Sequence, residues 1–234
     1  MQAYPFRNKI LNHLDSEVID RLQLKPVELP ARRVIETPGE PIRELIFIED
    51  GIGSMTNTFA DGFQVEVGMF GYESVMGASA LIGTKRSLNK VYMQMAGVGF
   101  ACPMGAGIAE FHRGEHFHDL VLRYVQAQLV QTAQSAGCNA HHDIVQRLSR
   151  WLCLCDDRSR VSPMNLTQEF LADMLGTNRP TVTTAAGILQ DRSLIEYNRG
   201  KIVILDRAAL EAQACECYEV VKQHLDNYIE VEQD

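Results

Sequence analysis

NLTQEFLADMLGTNRPTVTTAAGILQ, residues 165–190, contains two short amphipathic segments separated by a single glycine. Thr167 stands where a helix N-cap is needed, because its hydroxyl can accept a hydrogen bond from a free backbone N–H of the first turn. Gly176 can adopt the left-handed conformation that ends such a helix. Asn178 can cap the next helix, and Pro180 is tolerated in a first turn, where the amide groups lack helical partners. The stretch therefore predicts two helices joined by a tight turn.

The second helix of this pair has an apolar face and a polar face. Its inward positions are small or aliphatic, which allows a close crossing with the first helix. This spacing predicts a helix-turn-helix whose second helix enters the major groove of DNA with its N-terminal residues leading. An arginine there can pair with guanine, and threonines can contact phosphate, base edges or the methyl group of thymine. The residues predicted to contact DNA are Thr167, Asn178, Arg179, Pro180, Thr181, Thr183 and Thr184.

The segment LIEYNRGKIVIL, residues 194–205, predicts a strand, a turn and a second strand. Arg199 and Lys201 flank the turn, so this hairpin resembles a wing that can touch DNA phosphates. Residues 161–201 carry four cationic and four anionic side chains, although the whole chain has a net charge of −8. An acidic total does not exclude DNA binding, because association follows the local field.

The composition indicates a folded protein of ordinary type. The chain has 234 residues, of which 46% are apolar and 22% charged. We expect a cytoplasmic protein with no membrane partner, since no apolar run approaches the roughly 18 residues of a membrane span and the N-terminus lacks a signal-peptide core. The six cysteines are then expected to be reduced thiols.

Residues 26–103 consist of short strand-like runs punctuated by glycines. This spacing predicts a closed or nearly closed antiparallel barrel. The preceding segment NKILNHLDSEVIDRL has apolar residues at helical spacing and predicts a short helical cap.

A long helix is predicted from the stretch HFHDLVLRYVQAQLVQTAQSAG, which contains no proline. It carries two apolar lines, and both must be buried. We expect one line to pack on the chain's own barrel and the other on a second copy, which predicts a homodimer. The first line is Phe117, Val121 and Tyr124, and the second is Leu122, Val125, Leu129, Thr132 and Ala136.

The order of a glycine-punctuated barrel, a long helix and a winged helix-turn-helix resembles the cyclic AMP receptor protein and its relatives, the Crp/Fnr regulators. The resemblance covers nearly the whole chain and is most specific over LTQEFLADMLGTNRPTVTTAAGILQDRSLIEYNRGKIVILD. It implies an α+β fold with a jelly-roll barrel like that of cyclic-nucleotide-binding domains (residues 1–108), a dimerisation helix (109–138) and a winged helix-turn-helix domain (139–234).

The function implied by this resemblance is sequence-specific regulation of transcription, without enzyme activity. The partners it implies are double-stranded DNA with a two-fold symmetric site, a second copy of the chain, and RNA polymerase. Family members that read TGTGA or TTGAT half-sites carry a glutamate after the position matching Arg179, and often an arginine four residues further on. Here Pro180 and Thr184 occupy those places, so we expect a different half-site.

An effector pocket in the barrel is the second implication of the resemblance. Cyclic-nucleotide binders use a Gly-Glu pair for the ribose and an Arg-Ser or Arg-Thr pair for the phosphate. In GYESVMGASALIGTKRS these elements are separated differently, so no cofactor is predicted and a cyclic nucleotide is only one candidate effector. In the alternative interpretation, Glu73 and Arg86 pair with other residues of the barrel. The candidate pocket residues are Gly71, Glu73, Arg86, Ser87 and Thr132.

Histidines and cysteines suggest an alternative function. His112, His116 and His118 include a spacing of one helical turn, so a cupin-like metalloenzyme is the competing hypothesis. The sequence reveals no third ligand or supporting shell, and we predict no metal site.

The cysteines occur as two Cys-x-Cys pairs, Cys153/Cys155 and Cys215/Cys217. Residues two apart on a helix face different directions, which favours buried packing for both pairs over chelation. A redox switch is the alternative.

Overall fold

The computed structural model describes residues 6–159 and 161–230. The chain divides into two compact units. The first comprises the chain up to Met55, Met69–Val130, and the residues from His224 onward, whereas the second comprises Thr56–Gly68 and Gln131–Gln223. The domain boundaries expected after residues 108 and 138 stay predictions. Within the described residues, no helix is both long enough and apolar enough to cross a membrane.

An antiparallel sheet forms the framework of the first unit. The strands in order along the sheet are β1, β6, β3 and β4, while β2 also pairs with β6 and β5 with β3. The antiparallel jelly-roll-like architecture is confirmed, although the described strand pairs form an open sheet rather than a closed ring. The strands are β1 (Lys25–Leu29), β2 (Val34–Glu36), β3 (Glu44–Thr58), β4 (Gln64–Phe70), β5 (Val75–Met76) and β6 (Lys90–Pro103).

The close approach of β3 and β6 requires a glycine at position 97. A Cβ atom on Gly97 would lie 1.8 Å from the carbonyl oxygen of Asp50. Only a residue without a side chain fits there, because such a contact is far inside van der Waals distance. Gly97 lies inside β6 rather than at a turn, and it allows the two strands to pack closely.

The helices of the first unit cover the sheet and its ends. The expected helical cap is two short helices with Ile10, Leu11 and Leu22 buried. Asn8 caps the first of them and also donates from its amide to the carbonyls of Ile48 and Ser74, at 3.1 and 2.8 Å. The helices are α1 (Lys9–Asn12), α2 (Ser16–Arg21), α3 (Ser79–Ile82), α4 (Met104–Phe111) and the first part of α5 (His116–His141).

The two apolar lines of α5 differ in burial. Phe117, Val121 and Tyr124 are buried in the first unit. On the other line, Leu122 is 42% exposed and Leu129 is 67% exposed. The first line is therefore packed within the chain, whereas the two leucines of the second line are exposed.

The second unit combines helices with a small sheet. Its three strands are antiparallel in the order β7-β9-β8. The elements are α6 (Ile144–Arg158), β7 (Met164–Asn165), α7 (Gln168–Met174), α8 (Arg179–Asp191), β8 (Ile195–Asn198), β9 (Lys201–Ile204), α9 (Arg207–Gln213) and α10 (Cys217–Asn227).

The centre of this unit is α6. Asp143 and Gln146 form a reciprocal capping box at its start, which satisfies amide groups that the helix itself cannot pair. Leu148 and Leu152 are fully buried, and the indole Nε1 of Trp151 donates to a carboxylate oxygen of buried Glu66 at 2.9 Å. That hydrogen bond joins α6 to the tip of the β3–β4 hairpin within the same unit.

Gly176 in the turn between α7 and α8 meets two constraints. Its φ is +56°, which side-chain-bearing residues adopt only with strain, as the sequence predicted. A Cβ atom there would also lie 2.8 Å from Cγ2 of Val65 in the hairpin tip.

We predict that Gly176→Ala destabilises the protein by about 1–3 kcal/mol, because alanine would be forced into a left-handed conformation. The matched control is Gly187→Ala in the interior of α8, where the added Cβ meets nothing within 4 Å. There, alanine should stabilise by up to about 1 kcal/mol. Urea unfolding monitored by circular dichroism measures both effects. Equal midpoints for the two variants would show that the turn tolerates a side chain.

Candidate nucleic-acid interface

Side-chain caps fix the beginnings of both helices of the helix-turn-helix. The hydroxyl of Thr167 accepts a hydrogen bond from the backbone N–H of Phe170 at 3.2 Å. The amide oxygen of Asn178 accepts one from the backbone N–H of Thr181 at 2.9 Å. Such caps are each worth about 1 kcal/mol and set where a helix starts. The first turn of α8, including Pro180, is consequently held in a defined, exposed position.

The two helices pack through the apolar residues that the sequence predicted. On α7 and its C-cap, Leu171, Met174 and Leu175 are buried, whereas Phe170 is half-buried beside Trp151. The α8 contribution to the core is Val182, Ala185, Ala186 and Leu189. Because the inward residues of α8 include two alanines, its opposite face is left for polar residues.

Arg179 begins α8 and points away from the core. Its side chain is 63% exposed, its Nε donates to the amide oxygen of Gln168 at 3.2 Å, and its Nη1 lies 3.0 Å from a carboxylate oxygen of Glu169. An ion pair between two such exposed side chains contributes at most about 1 kcal/mol. The guanidinium can therefore exchange these partners for a ligand at little cost. The sequence pattern did not predict that Gln168 and Glu169 would lie beside Arg179.

The three threonines of α8 have different environments. The Thr183 hydroxyl lies 3.0 Å from both the amide oxygen of Gln168 and the carbonyl of Arg179, and Thr184 donates to the carbonyl of Pro180 at 3.2 Å. Both are exposed. Thr181 is half-buried, and its hydroxyl donates to the capping oxygen of Asn178 at 2.8 Å. Its hydroxyl thus supports the start of the helix.

The hairpin of β8 and β9 has a two-residue turn. Arg199 and Gly200 both have positive φ, +50° and +76°, which is the pattern of a type I′ turn. Asn198 pairs with Lys201 across the hairpin. Arg199 and Lys201 are exposed, so the sequence prediction of a cationic tip agrees with the conformation of this turn.

A notch of about 350 Å³ lies between the beginnings of the two helices and the hairpin. Its lining includes three of the residues predicted to contact DNA. Lys201 and the predicted residues further along α8 are not among its described lining residues. Tyr197 at its edge donates to the carbonyl of Leu166 at 2.8 Å, and burial raises the pKa of its phenol to about 12. The lining residues are Thr167, Gln168, Glu169, Arg179, Tyr197, Arg199 and Gly200.

The predicted effector residues in the first unit are engaged in local structure. Glu73 is buried and accepts a hydrogen bond from the hydroxyl of Ser74 at 3.2 Å, and Ser74 also accepts from the backbone N–H of Gly71 at 3.1 Å. Arg86 is exposed and donates from Nη1 to the carbonyl of Gly39 at 2.7 Å. These contacts agree with the alternative in which Glu73 and Arg86 serve the fold. Thr132 is half-buried and belongs to the second unit.

A cavity of about 140 Å³ in the first unit is lined by Ser87 but not, among the described residues, by Gly71, Glu73 or Arg86. Its polar centre is buried Glu36, whose carboxylate accepts hydrogen bonds from the Ser87 hydroxyl at 2.7 Å and the Gly77 N–H at 2.9 Å. Burial raises the pKa of Glu36, and these two hydrogen bonds oppose the rise. The described lining contains no lysine or arginine.

The three histidines of the competing hypothesis do not gather around one point. His116 Nε2 lies 2.9 Å from the carbonyl of His13, and His118 Nδ1 lies 3.0 Å from a carboxylate oxygen of Asp119. The only group of at least three potential metal ligands among the described residues lies elsewhere.

Comparison with known proteins supports the helix-turn-helix assignment. Residues 146–213 match the model of the Crp-like helix-turn-helix domain. The Global nitrogen regulator of Synechococcus elongatus is 24% identical over 203 residues, covering 82% of this chain and 91% of the relative.

Solved structures share the fold of nearly the whole chain. One is described as a regulator of the Crp/Fnr family from Eubacterium rectale, with a TM-score of 0.70 at 14% identity over 88% of this chain and 98% of that one. Another is the c-di-GMP responsive global regulator CLP of Xanthomonas campestris, with a TM-score of 0.65 at 18% identity over 82% and 100%. The domain match, the related regulators and the geometry of α7, α8 and the wing agree, and they favour a regulator over the enzyme hypothesis: the chain is a DNA-binding transcriptional regulator with a Crp-like helix-turn-helix domain, and it is similar to regulators of the Crp/Fnr family.

Proposed function

We propose that the protein acts as a homodimer on a two-fold symmetric DNA site, with the first turn of α8 in the major groove. The observation that carries this proposal is the position of Arg179, which is exposed at the start of a capped helix and lines one notch with Arg199 of the wing. A dimer places two such helices on half-sites one helical turn apart.

In this proposal Arg179 pairs with a guanine, which takes the place of Glu169 and Gln168 as its partner. Thr183 and Thr184 contact bases or phosphates, since their hydroxyls are exposed and bond only to an exposed turn of α8 and to the side chain of Gln168. Thr181 acts through the Asn178 cap. Pro180 offers no side-chain hydrogen bond, so the half-site differs from those read through a glutamate at this position.

The wing supplies contacts to the DNA backbone. Arg199 and Lys201 are exposed on a two-residue turn whose backbone conformation is fixed, which suits them to neutralise phosphates. Phosphate contacts set the orientation of the protein without reading sequence. The wing therefore fixes how α8 enters the groove.

The second copy of the chain packs against the open face of α5. Leu122 and Leu129 are large apolar side chains exposed on the same side of this helix. A helix with one face buried in its own unit and an apolar stripe outside is suited to pairing with an equivalent helix. This face is the interface that a symmetric dimer requires.

The cavity beside Glu36 is the candidate effector site. Its described lining offers a carboxylate, a few hydroxyl and amide groups and mostly apolar surface, without a cation for a phosphate. We infer that an effector bound there is uncharged or cationic rather than a cyclic nucleotide. Contact with RNA polymerase and action in the cytoplasm, where the DNA is, complete the proposal and rest on the family resemblance.

We predict that Arg179→Ala lowers affinity for the selected DNA site by about 1–3 kcal/mol per half-site and relaxes the preference at the paired base. The site is first obtained by selection from random duplex DNA at a stated salt concentration. Arg192→Ala, at the far end of α8, is the control that removes an equal charge. Gel-shift titration of the wild type and the two variants separates the loss of base recognition from the loss of one positive charge. Equal losses for the two variants would contradict guanine recognition by Arg179.

We predict that Leu129→Asp converts the dimer to a monomer in sedimentation experiments, because two carboxylates would be buried against apolar surface. The far-ultraviolet circular dichroism spectrum should be unchanged, since the side chain is exposed within one chain. Leu205→Asp, at another exposed leucine, should remain dimeric. A dimeric Leu129→Asp protein would rule out this face as the interface.

We predict that cyclic AMP changes neither the unfolding temperature nor the DNA affinity. A ligand at one hundred times its dissociation constant would stabilise the fold by about 2.7 kcal/mol, which thermal unfolding detects readily. An increase that disappears in Ser87→Ala would instead place a cyclic nucleotide in the cavity and overturn the inference.

A further inference from the structure

Four potential metal ligands converge inside the second unit: Cys138, His142, Cys215 and Cys217. Their ligand atoms all lie within 4.8 Å of one another. The sulfurs of Cys138 and Cys215 are 3.5 Å apart, and the sulfur of Cys217 is 3.6 Å from Nδ1 of His142. All three thiols are buried. The cluster is separate from the DNA-facing side chains and has no part in the function proposed above.

These separations fit a single ion with four ligands. With Zn–S bonds near 2.3 Å and Zn–N bonds near 2.0–2.1 Å, the edges of a tetrahedron are about 3.8 Å between sulfurs and about 3.6 Å between sulfur and nitrogen. The observed distances of 3.5 and 3.6 Å are close to these edges. A cluster of several irons would hold its ligands farther apart, because each sulfur would bind a different metal atom.

The backbone explains why the four side chains meet. Cys138 and His142 are four residues apart at the end of α5, and the N–H of His142 donates to the carbonyl of Cys138 at 3.0 Å, so both face the same side. Cys215 lies between α9 and α10, and Cys217 is the first residue of α10. The argument against chelation, which considered two cysteines within one helix, does not apply to this Cys-x-Cys pair. The pair spans a helix start, where both thiols can point to one centre.

The surroundings of the cluster resemble the second shell of a metal site. Nε2 of His142 lies 3.2 Å from a carboxylate oxygen of Glu216, which leaves Nδ1 directed toward the thiols. A carboxylate on the outer nitrogen is the usual partner of a metal-bound imidazole. The amide of Gln134 donates to the sulfur of Cys217 at 3.1 Å, a contact that would stabilise a metal-bound thiolate.

Two arginines of α6 lie near the cluster. Arg150 is 7% exposed, and thiolates at Cys138 and Cys215 would interact favourably with the guanidinium groups of Arg150 and Arg147. In the described part of the chain, Nε and Nη1 of Arg150 and Nε of Arg147 have no hydrogen-bond partner. Buried cations require nearby negative charge. Three neutral thiols would not supply it, whereas three thiolates around a divalent ion carry a net charge of about −1.

We propose that Cys138, His142, Cys215 and Cys217 bind one Zn²⁺ ion through three thiolates and the Nδ1 of the imidazole. Binding releases the three thiol protons to solvent, and no electron is transferred. Four protein ligands leave no open position, so the site is structural rather than catalytic. The ligands bracket residues 146–213, the segment that matches the helix-turn-helix model, and the ion closes that segment into a loop.

The first experiment is elemental analysis of the full-length protein purified anaerobically with a reductant. We expect about one zinc per chain. Cys217→Ser should lose most of it, whereas Cys153→Ala, a change at a buried cysteine of the same unit outside the cluster, should retain it. Iron with inorganic sulfide, or a Cys138–Cys215 disulfide with no metal, would overturn the proposal.

A second measurement tests metal binding at this site if the Cys217→Ser variant does not fold. Cobalt(II) added to metal-depleted wild-type protein should give intense visible bands of a tetrahedral ion and sulfur-to-metal charge transfer, with a break at about one equivalent. His142→Cys, which keeps four ligands, should bind and shift these bands. Wild-type protein that lacks zinc and also gives no tetrahedral cobalt spectrum would refute the site.

Discussion

Burial of α6 is the constraint on which the DNA-facing surface depends. Between Leu148 and Cys155 every side chain of this helix is buried, so it is enclosed on all sides rather than along one stripe. It packs against α8 and α9, and its Trp151 is hydrogen bonded to Glu66 of the hairpin tip. The direction in which α8 presents Arg179 is therefore fixed by a buried helix on the side of α8 opposite to its exposed polar face.

Ion pairs hold the C-terminal end of α6 in place. The guanidinium of Arg207 at the start of α9 lies 2.9 Å from a carboxylate oxygen of Asp157 and 3.1 Å from one of Asp156. Tyr218 of α10 donates its hydroxyl to Asp157 at 2.8 Å. Because one planar guanidinium meets several acceptors, this network fixes geometry better than separate surface pairs would. It ties α6, α9 and α10 together.

Sequence predicted the helix-turn-helix well because its determinants are local. Caps at Thr167 and Asn178, a left-handed glycine at position 176 and the apolar spacing of α8 each act within a few residues. The open face of α5 followed from periodicity in the same way. The effector residues were harder to predict, because a binding motif transferred from related proteins specifies neither how deeply each residue is buried nor which residues it contacts. Glu36, the polar centre of the cavity, carries no sequence signal beyond being one acidic residue in a short strand.

The cysteine cluster, in contrast, could not be predicted from the sequence, because its members are far apart in the chain. Cys138 and His142 are separated from Cys215 by more than 70 residues, and no spacing rule connects the two pairs. Their meeting is a consequence of the tertiary contacts that bring the end of α5 to the segment between α9 and α10. The same separation gives the proposed ion its physical effect, since a link closing so long a loop removes about 3–5 kcal/mol of unfolded-state entropy in the loop-closure model. A small domain with an exposed polar surface for DNA has a limited buried core, and its stability is correspondingly limited. A bound ion behind α6 would supply that stability without occupying any part of the surface that meets DNA.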